Sequence, residues 1–174
     1  RSADEVSVTL TWYTFDEEGQ PIWYLGTSTF EDNRARVELG QFVRPEGSEV
    51  RRADAGVVEF EFTSSSTIEL EFELKGRTGS QSLVRIEPRQ GSAEELIYTG
   101  LWFPPADSGW GVEWLAEGPS EAAIVYNYDD VGNPTWVISA EFSGSAADLL
   151  QFSGGGCPGC EGASSATASA STVG

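Results

Sequence analysis

One aromatic hairpin is written twice in this chain. Residues 12–24 read WYTFDEEGQPIWY and residues 125–137 read VYNYDDVGNPTWV. Tyr13, Asp16, Gly19, Pro21 and Trp23 recur as Tyr126, Asp129, Gly132, Pro134 and Trp136 at a constant offset of 113. Identities of such bulky or turn-specific types mark an internal repeat. In the first copy, Val8, Leu10 and Trp12 alternate with Thr9, Thr11 and Tyr13, a pattern suited to a pleated strand. The Asp-x-x-Gly core then supplies a side chain that bonds nearby backbone and a residue free to take positive φ. Each Pro opens a returning strand, where a missing N–H costs least. Trp23 and Trp136 are expected to face aromatics of the first arm across the hairpin. The acidic tips invite a calcium reading, but no twelve-residue oxygen-ligand loop is present, and a solvated turn is expected.

Charge narrows the partners. Ten Lys and Arg stand against 28 Asp and Glu, a net charge of −18, which leaves no electrostatic means of holding a phosphate backbone. Nucleic acid is therefore not an expected partner, and an anionic membrane surface is disfavoured for the same reason. No apolar run approaches transmembrane length. The chain has no His, which removes the Ser-His-Asp and Cys-His arrangements and every His-containing metal site. It has no Met either, so Arg1 is not a translation start, and a processed mature form or a piece of a longer protein is expected.

Strand patterning continues along the chain. Residues 36–43 alternate weakly, and 44–55 read as a polar loop. Val58, Phe60 and Phe62, then Ile68, Leu70, Phe72 and Leu74, alternate with glutamates, giving a hairpin with one buried and one acidic face. Ser82, Val84 and Ile86 continue the meander, and residues 91–97 suit a short helical turn. GLWFPPADSGWGVEWLAEG then introduces a new aromatic strand before the second hairpin. Asp148-Leu149-Leu150-Gln151-Phe152 echoes Glu38-Leu39-Gly40-Gln41-Phe42 at an offset of 110, and Ala55-Gly56-Val57 aligns with Thr172-Val173-Gly174. The organisation expected is a first copy at 1–90 lacking the SGWG strand, a second at 91–160 truncated after Phe152, and a low-complexity tail at 161–174. Disorder is the default for that tail, and pairing with a sheet edge is what would order it.

LWFPPADSGWG…YNYDDVGNPTWV resembles a tryptophan-rich repeat of predicted secreted and surface proteins from Gram-negative bacteria. In that pattern an SGWG strand precedes an aromatic D-x-x-G-x-P hairpin and a β-hairpin closes the unit. The resemblance implies β architecture and an extracellular or cell-surface location, and it transfers no catalytic residue. Neither copy is complete, so the missing strands are expected either from a longer array or from neighbouring subunits by strand addition.

Candidate sites are few. Cys157-Pro158-Gly159-Cys160 offers a redox pair, half a metal site or a local disulfide. A Gly-rich flank is a poor helix start for a reactive thiol, and zinc needs four ligands, so a disulfide is expected. Trp102, Trp110 and Trp114, with Trp23 and Trp136, serve either as a sugar platform, as an intermolecular interface, or as filling between sheets. Like charges at Glu59, Glu61, Glu69, Glu71 and Glu73 call for relief from Arg77, Arg85 and Arg89, from a partner surface or from divalent cations. Glycoside hydrolysis needs two carboxyls across a cleft, and acids on wet faces do not make one.

The expectation is thus an all-β antiparallel sandwich or barrel built from two related, permuted copies. Its role is expected to be non-enzymatic and structural, extracellular or on a bacterial surface, with copies of itself or other surface proteins as partners and filament assembly by strand exchange. Carbohydrate binding through surface tryptophans is the alternative. No cofactor, metal or catalytic residue is expected.

Overall fold

A computed structural model describes residues 6–46, 48–85, 99–107, 109–117, 120–139, 142–143, 146–161 and 165–171. The fold is all-β, with two antiparallel six-stranded sheets. The first is a meander of β1 (Ser7–Phe15), β2 (Pro21–Thr29), β3 (Arg34–Val43), β4 (Arg51–Phe62), β5 (Thr67–Leu74) and β6 (Arg77–Val84). The second contains β7 (Gly100–Trp102), β8 (Gly111–Glu117), β9 (Ser120–Tyr128), β10 (Pro134–Ser139), β13 (Leu149–Ser153) and β14 (Thr167–Ser171). Its strand order is β14-β13-β10-β9-β8-β7, and β11 (Phe142–Ser143) pairs with β12 (Ala146–Ala147) apart from it.

Alternation builds the first core. Ile22, Tyr24, Val37, Leu39, Val58, Phe60, Leu70, Phe72 and Leu74 share one face and are buried, with Trp12 packed against them. The sheet curls around this core until the Trp12 ring on β1 meets Phe72 on β5 edge-on at 5.1 Å. The opposite face carries the glutamates, and Glu59 lies directly across from Glu71 and Glu61 from Glu69. Relief comes from the other side of β4: Arg36 reaches Glu59 at 3.0 Å and Arg34 reaches Glu61 at 2.7 Å, each from its register position on β3. Arg77 instead pairs with Glu17 at 2.7 Å, and Arg89 lies outside the described residues. Exposed pairs of this kind add little stability individually; they blunt the repulsion.

Several boundaries move. Residues 51–55, polar and read as loop, form the first part of β4, because pairing with β3 holds them through a bulge at Leu39/Gly40. Part of the tail is ordered as β14, paired with β13 from Leu149↔Ser171 to Ser153↔Thr167. Leu39 faces Gly56 and its counterpart Leu149 faces Ser171, so Gly56 corresponds to Ser171, not to Val173. The short helix expected at 91–97, and Ile86, lie outside the described residues.

Strands β9, β10 and β13 are the counterparts of β1, β2 and β3. In both hairpins the tyrosine faces the tryptophan across the strands, Tyr13↔Trp23 and Tyr126↔Trp136. The turns share a common set of bonds. Gly19 N–H donates to the Asp16 carbonyl at 3.1 Å and Gly132 N–H to the Asp129 carbonyl at 3.0 Å. Asp16 Oδ1 accepts from Gln20 N–H at 2.8 Å, and Asp129 Oδ1 from Asn133 N–H at 2.8 Å. These carboxylates hold their own turns, as a solvated Asx turn requires.

Candidate functional site

The two hairpins pack face to face, and the repeat makes the contact reciprocal. Trp23 Nε1 donates to the Asn127 carbonyl at 3.1 Å, and Trp136 Nε1 donates to the Thr14 carbonyl at 3.0 Å. Thr14 and Asn127 are themselves counterparts at the repeat offset of 113. Trp23 stacks on Phe42 at 5.5 Å and Trp136 on Phe152 at 5.9 Å. Trp23 meets Tyr126 edge-on at 5.1 Å, and Trp136 meets Tyr13 edge-on at 6.2 Å. The Tyr13 and Tyr126 rings meet each other, at 6.3 Å, where the implied two-fold axis passes. The interface is isologous although one chain makes both halves.

Backbone clasps repeat the symmetry. Gly154 N–H donates to the Gly19 carbonyl at 2.7 Å, and Arg44 N–H donates to the Gly132 carbonyl at 2.8 Å. Arg44 and Gly154 are counterparts at the offset of 110. The segment after the third strand of each copy thus crosses to the hairpin tip of the other. On one side that segment carries the cysteines, which are bonded as expected, with Cα atoms 5.4 Å apart. On the other side Arg44 continues into an ion pair with Asp107, whose second oxygen accepts from Trp110 Nε1 at 3.2 Å. The Arg44 and Trp110 bonds hold the Asp107 carboxyl below the usual range.

The sequence-predicted aromatics therefore divide. Trp23 (1% exposed) and Trp136 (9%) lie between the sheets, so neither serves as a sugar platform. Trp110 is half-buried and bonded to Asp107. Trp102 and Trp114 both flank Val112 on the face of the second sheet turned away from the aromatic interface, and only Trp102 is largely exposed, at 54%. Trp102 also explains the second glycine of SGWG. A Cβ on Gly111 would run into the Trp102 carbonyl and the Tyr126 hydroxyl. The position opposite Tyr126 must be glycine for β8 to pass over that ring.

Sequence reasoning missed Glu113, which faces Tyr13 from β8. Burial raises its carboxyl above the usual range, opposed by Tyr13. Burial and then the Glu113 charge raise Tyr13 and Tyr126 in turn, while burial pushes Tyr128 up to about 12. The Tyr13 and Tyr128 hydroxyls are buried without a well-formed hydrogen bond, so the tyrosines stay neutral and under-satisfied. Because folding raises its pKa, Glu113 binds its proton more tightly in the folded state than in the unfolded chain. The penalty for ionising it is absent below the unfolded value, about 4.3, and grows as pH rises through the folded value. Glu113→Gln is therefore expected to raise the melting temperature at pH 7 and to leave it unchanged at pH 3. An equal gain at both pH values would mean that desolvation of the charge is not the cause.

Among the described residues no helix is long and apolar enough to cross a membrane, and no cluster of three metal-ligating side chains occurs. Compared with protein-family models, curated proteins and solved structures, the chain matches none.

Proposed function

We propose that this chain is a non-enzymatic structural unit of an extracellular or bacterial-surface assembly, joined to its neighbours through open sheet edges. The observation that carries this reading is the unequal strand content of the two sheets among the described residues. Among the described residues, β9 is followed outward in the second sheet by β8 and β7, whereas its counterpart β1 is the terminal strand of the first sheet. In the first sheet β4 is followed by β5 and β6, whereas its counterpart β14 is terminal in the second among the described residues. The aromatic faces are already consumed against each other, so growth falls to the edges.

Those edges lack the usual protection. The sequence of β1, SVTLTWYTF, has no charge, proline or glycine over nine residues, and TASAS in β14 is equally bare. Charged side chains, prolines and bulges are how edges ordinarily avoid pairing, and their absence suits an edge that is meant to pair. A disulfide suits an oxidising compartment, and the resemblance to a surface repeat points the same way. Catalysis is disfavoured because the carboxyl with raised proton affinity, Glu113, faces tyrosines in a packed interface and not a substrate cleft. Carbohydrate binding is weakened by the burial of Trp23 and Trp136.

Electron microscopy of the protein as isolated from its source tests the reading. Ordered assemblies containing this chain are expected. Thr9 is exposed on β1 beside Thr27, so Thr9→Lys adds a charge at the edge without touching the core. It is expected to abolish assembly while changing stability by no more than about 0.5 kcal/mol. Dispersed particles from the unaltered chain, or polysaccharide binding that disappears with Trp102→Ala, would replace the structural reading by the carbohydrate one.

A further inference from the structure

We infer that the Cys157–Cys160 disulfide is a redox latch on one of the two clasps between the sheets. Oxidised, it holds the clasp closed on the first sheet; reduced, it lets that clasp open. The clasp is the segment that leaves β13. Gly154 N–H donates to the Gly19 carbonyl at 2.7 Å, and Gly155 is buried against Phe15, where a Cβ would run into the ring. Cys157-Pro158-Gly159-Cys160 then forms a turn closed by Cys160 N–H donating to the Cys157 carbonyl at 3.1 Å. Gly159 sits at φ +72, and a Cβ there would lie 3.0 Å from Arg77 Cβ and 3.3 Å from the Thr78 carbonyl. The segment thus touches the end of β1 and the start of β6, the terminal strands of the first sheet among the described residues.

Three observations make the disulfide the part that decides whether the turn is held. First, Cys157 and Pro158 border a groove of about 320 Å³, shared with Ile22, Tyr24, Leu74 and Lys75. A turn beside a groove takes little holding from apolar burial, and its one backbone bond favours closure by no more than about tenfold. Second, the repeat supplies a version without cysteine. The other clasp runs from Arg44 into a turn where Ser48 N–H donates to the Pro45 carbonyl at 3.0 Å. Ser48 Oγ donates to the same carbonyl at 2.7 Å, and Asp107 anchors Arg44. One clasp is therefore secured by a hydroxyl and an ion pair, and the other by a covalent bond that redox chemistry can break. Third, both cysteines are only half-buried, so a small thiol reaches them, and they are the chain's only two.

The exchange balances with a dithiol as co-reactant. One thiolate of the dithiol attacks a cysteine sulfur, breaking the Cys157–Cys160 bond and forming a mixed disulfide. Its second thiolate displaces that cysteine. Two electrons and two protons pass to the cysteines, and the dithiol leaves as its own disulfide. A disulfide oxidant runs the same steps backwards. The closed clasp therefore belongs to an oxidising compartment, and a reducing one keeps it open. The latch operates whether or not the chain assembles, since both clasps lie within one chain.

Hydrogen exchange of the intact chain, before and after dithiothreitol, tests this. Reduction is expected to speed exchange of the Gly154 and Cys160 amides at least about tenfold, the effect of releasing a short covalent loop. The Arg44 amide of the other clasp is expected to stay within about twofold, as an independent site does. Oxidised glutathione is expected to restore the slow rates. Gly159→Ala crowds Arg77 with the disulfide intact, and is expected to speed Gly154 exchange in the oxidised chain. Unchanged rates at 154–160 after complete reduction would overturn the latch. So would equal acceleration at both clasps, or a disulfide that resists dithiothreitol until the whole chain unfolds.

Discussion

Trp23→Ala is expected to cost about 3–5 kcal/mol in equilibrium urea unfolding, the range for truncating a fully buried aromatic. Trp23 is 1% exposed, stacks on Phe42, meets Tyr126 and Tyr128, and donates its indole N–H across the interface. Alanine removes the rings' contact and leaves the Asn127 carbonyl without that donor. The repeat makes a sharper claim. Trp136→Ala removes the image of every one of these contacts and should cost the same within about 1 kcal/mol, less than the spread among unrelated aromatic truncations. The first core does not include Trp23, so the loss falls on docking of the two sheets and not on folding of the first. Trp23→Phe keeps most of the packing and loses the hydrogen bond, so a loss of about 1–3 kcal/mol is expected. Clearly unequal costs for the two alanine variants would mean that the symmetry of the contacts is not a symmetry of energies.

Gly132→Ala is expected to destabilise by about 2–4 kcal/mol, from backbone strain and overpacking together. Gly132 sits at φ +87, and a Cβ there would strike the Arg44 carbonyl of the segment that clasps it. Neither partner is a flexible side-chain end, so the clasp itself must shift. Gly76 supplies the control. It has a similar φ of +77 with nothing within 4 Å of the added carbon, so Gly76→Ala should show the strain alone, about 1–2 kcal/mol. Thermal and urea unfolding of the two variants separate the terms. Equal losses would show that the close approach to Arg44 contributes nothing beyond the turn.

The hairpins were legible because their information is local. Asp-x-x-Gly-x-Pro specifies its own turn within five residues, and alternation on a half-buried strand specifies which face is inward. Residues 51–55 and 167–171 were not legible, because their side chains carry no apolar period. They are strands because β3 and β13 hold them by backbone bonds that any residue makes. The arginines that relieve the glutamate ladder were misread for a related reason. The sequence reading named Arg77, Arg85 and Arg89, of which Arg89 lies outside the described residues, whereas antiparallel register delivers Arg34 and Arg36.

Taken alone, the chain dictated an all-β protein with a duplicated aromatic hairpin, since strand period, turn chemistry and internal identity are properties of neighbouring residues. Only tertiary structure decided that the two hairpins face each other across a two-fold axis. The indole donors find backbone carbonyls 104 and 122 residues away, and a carbonyl has no side-chain identity to announce it as a partner. Tertiary structure likewise decided that Trp23 and Trp136 are interior, because an aromatic pattern on a strand is the same whether its face meets water or another sheet. Among the described residues, β1 and β14 are left as terminal strands of their sheets.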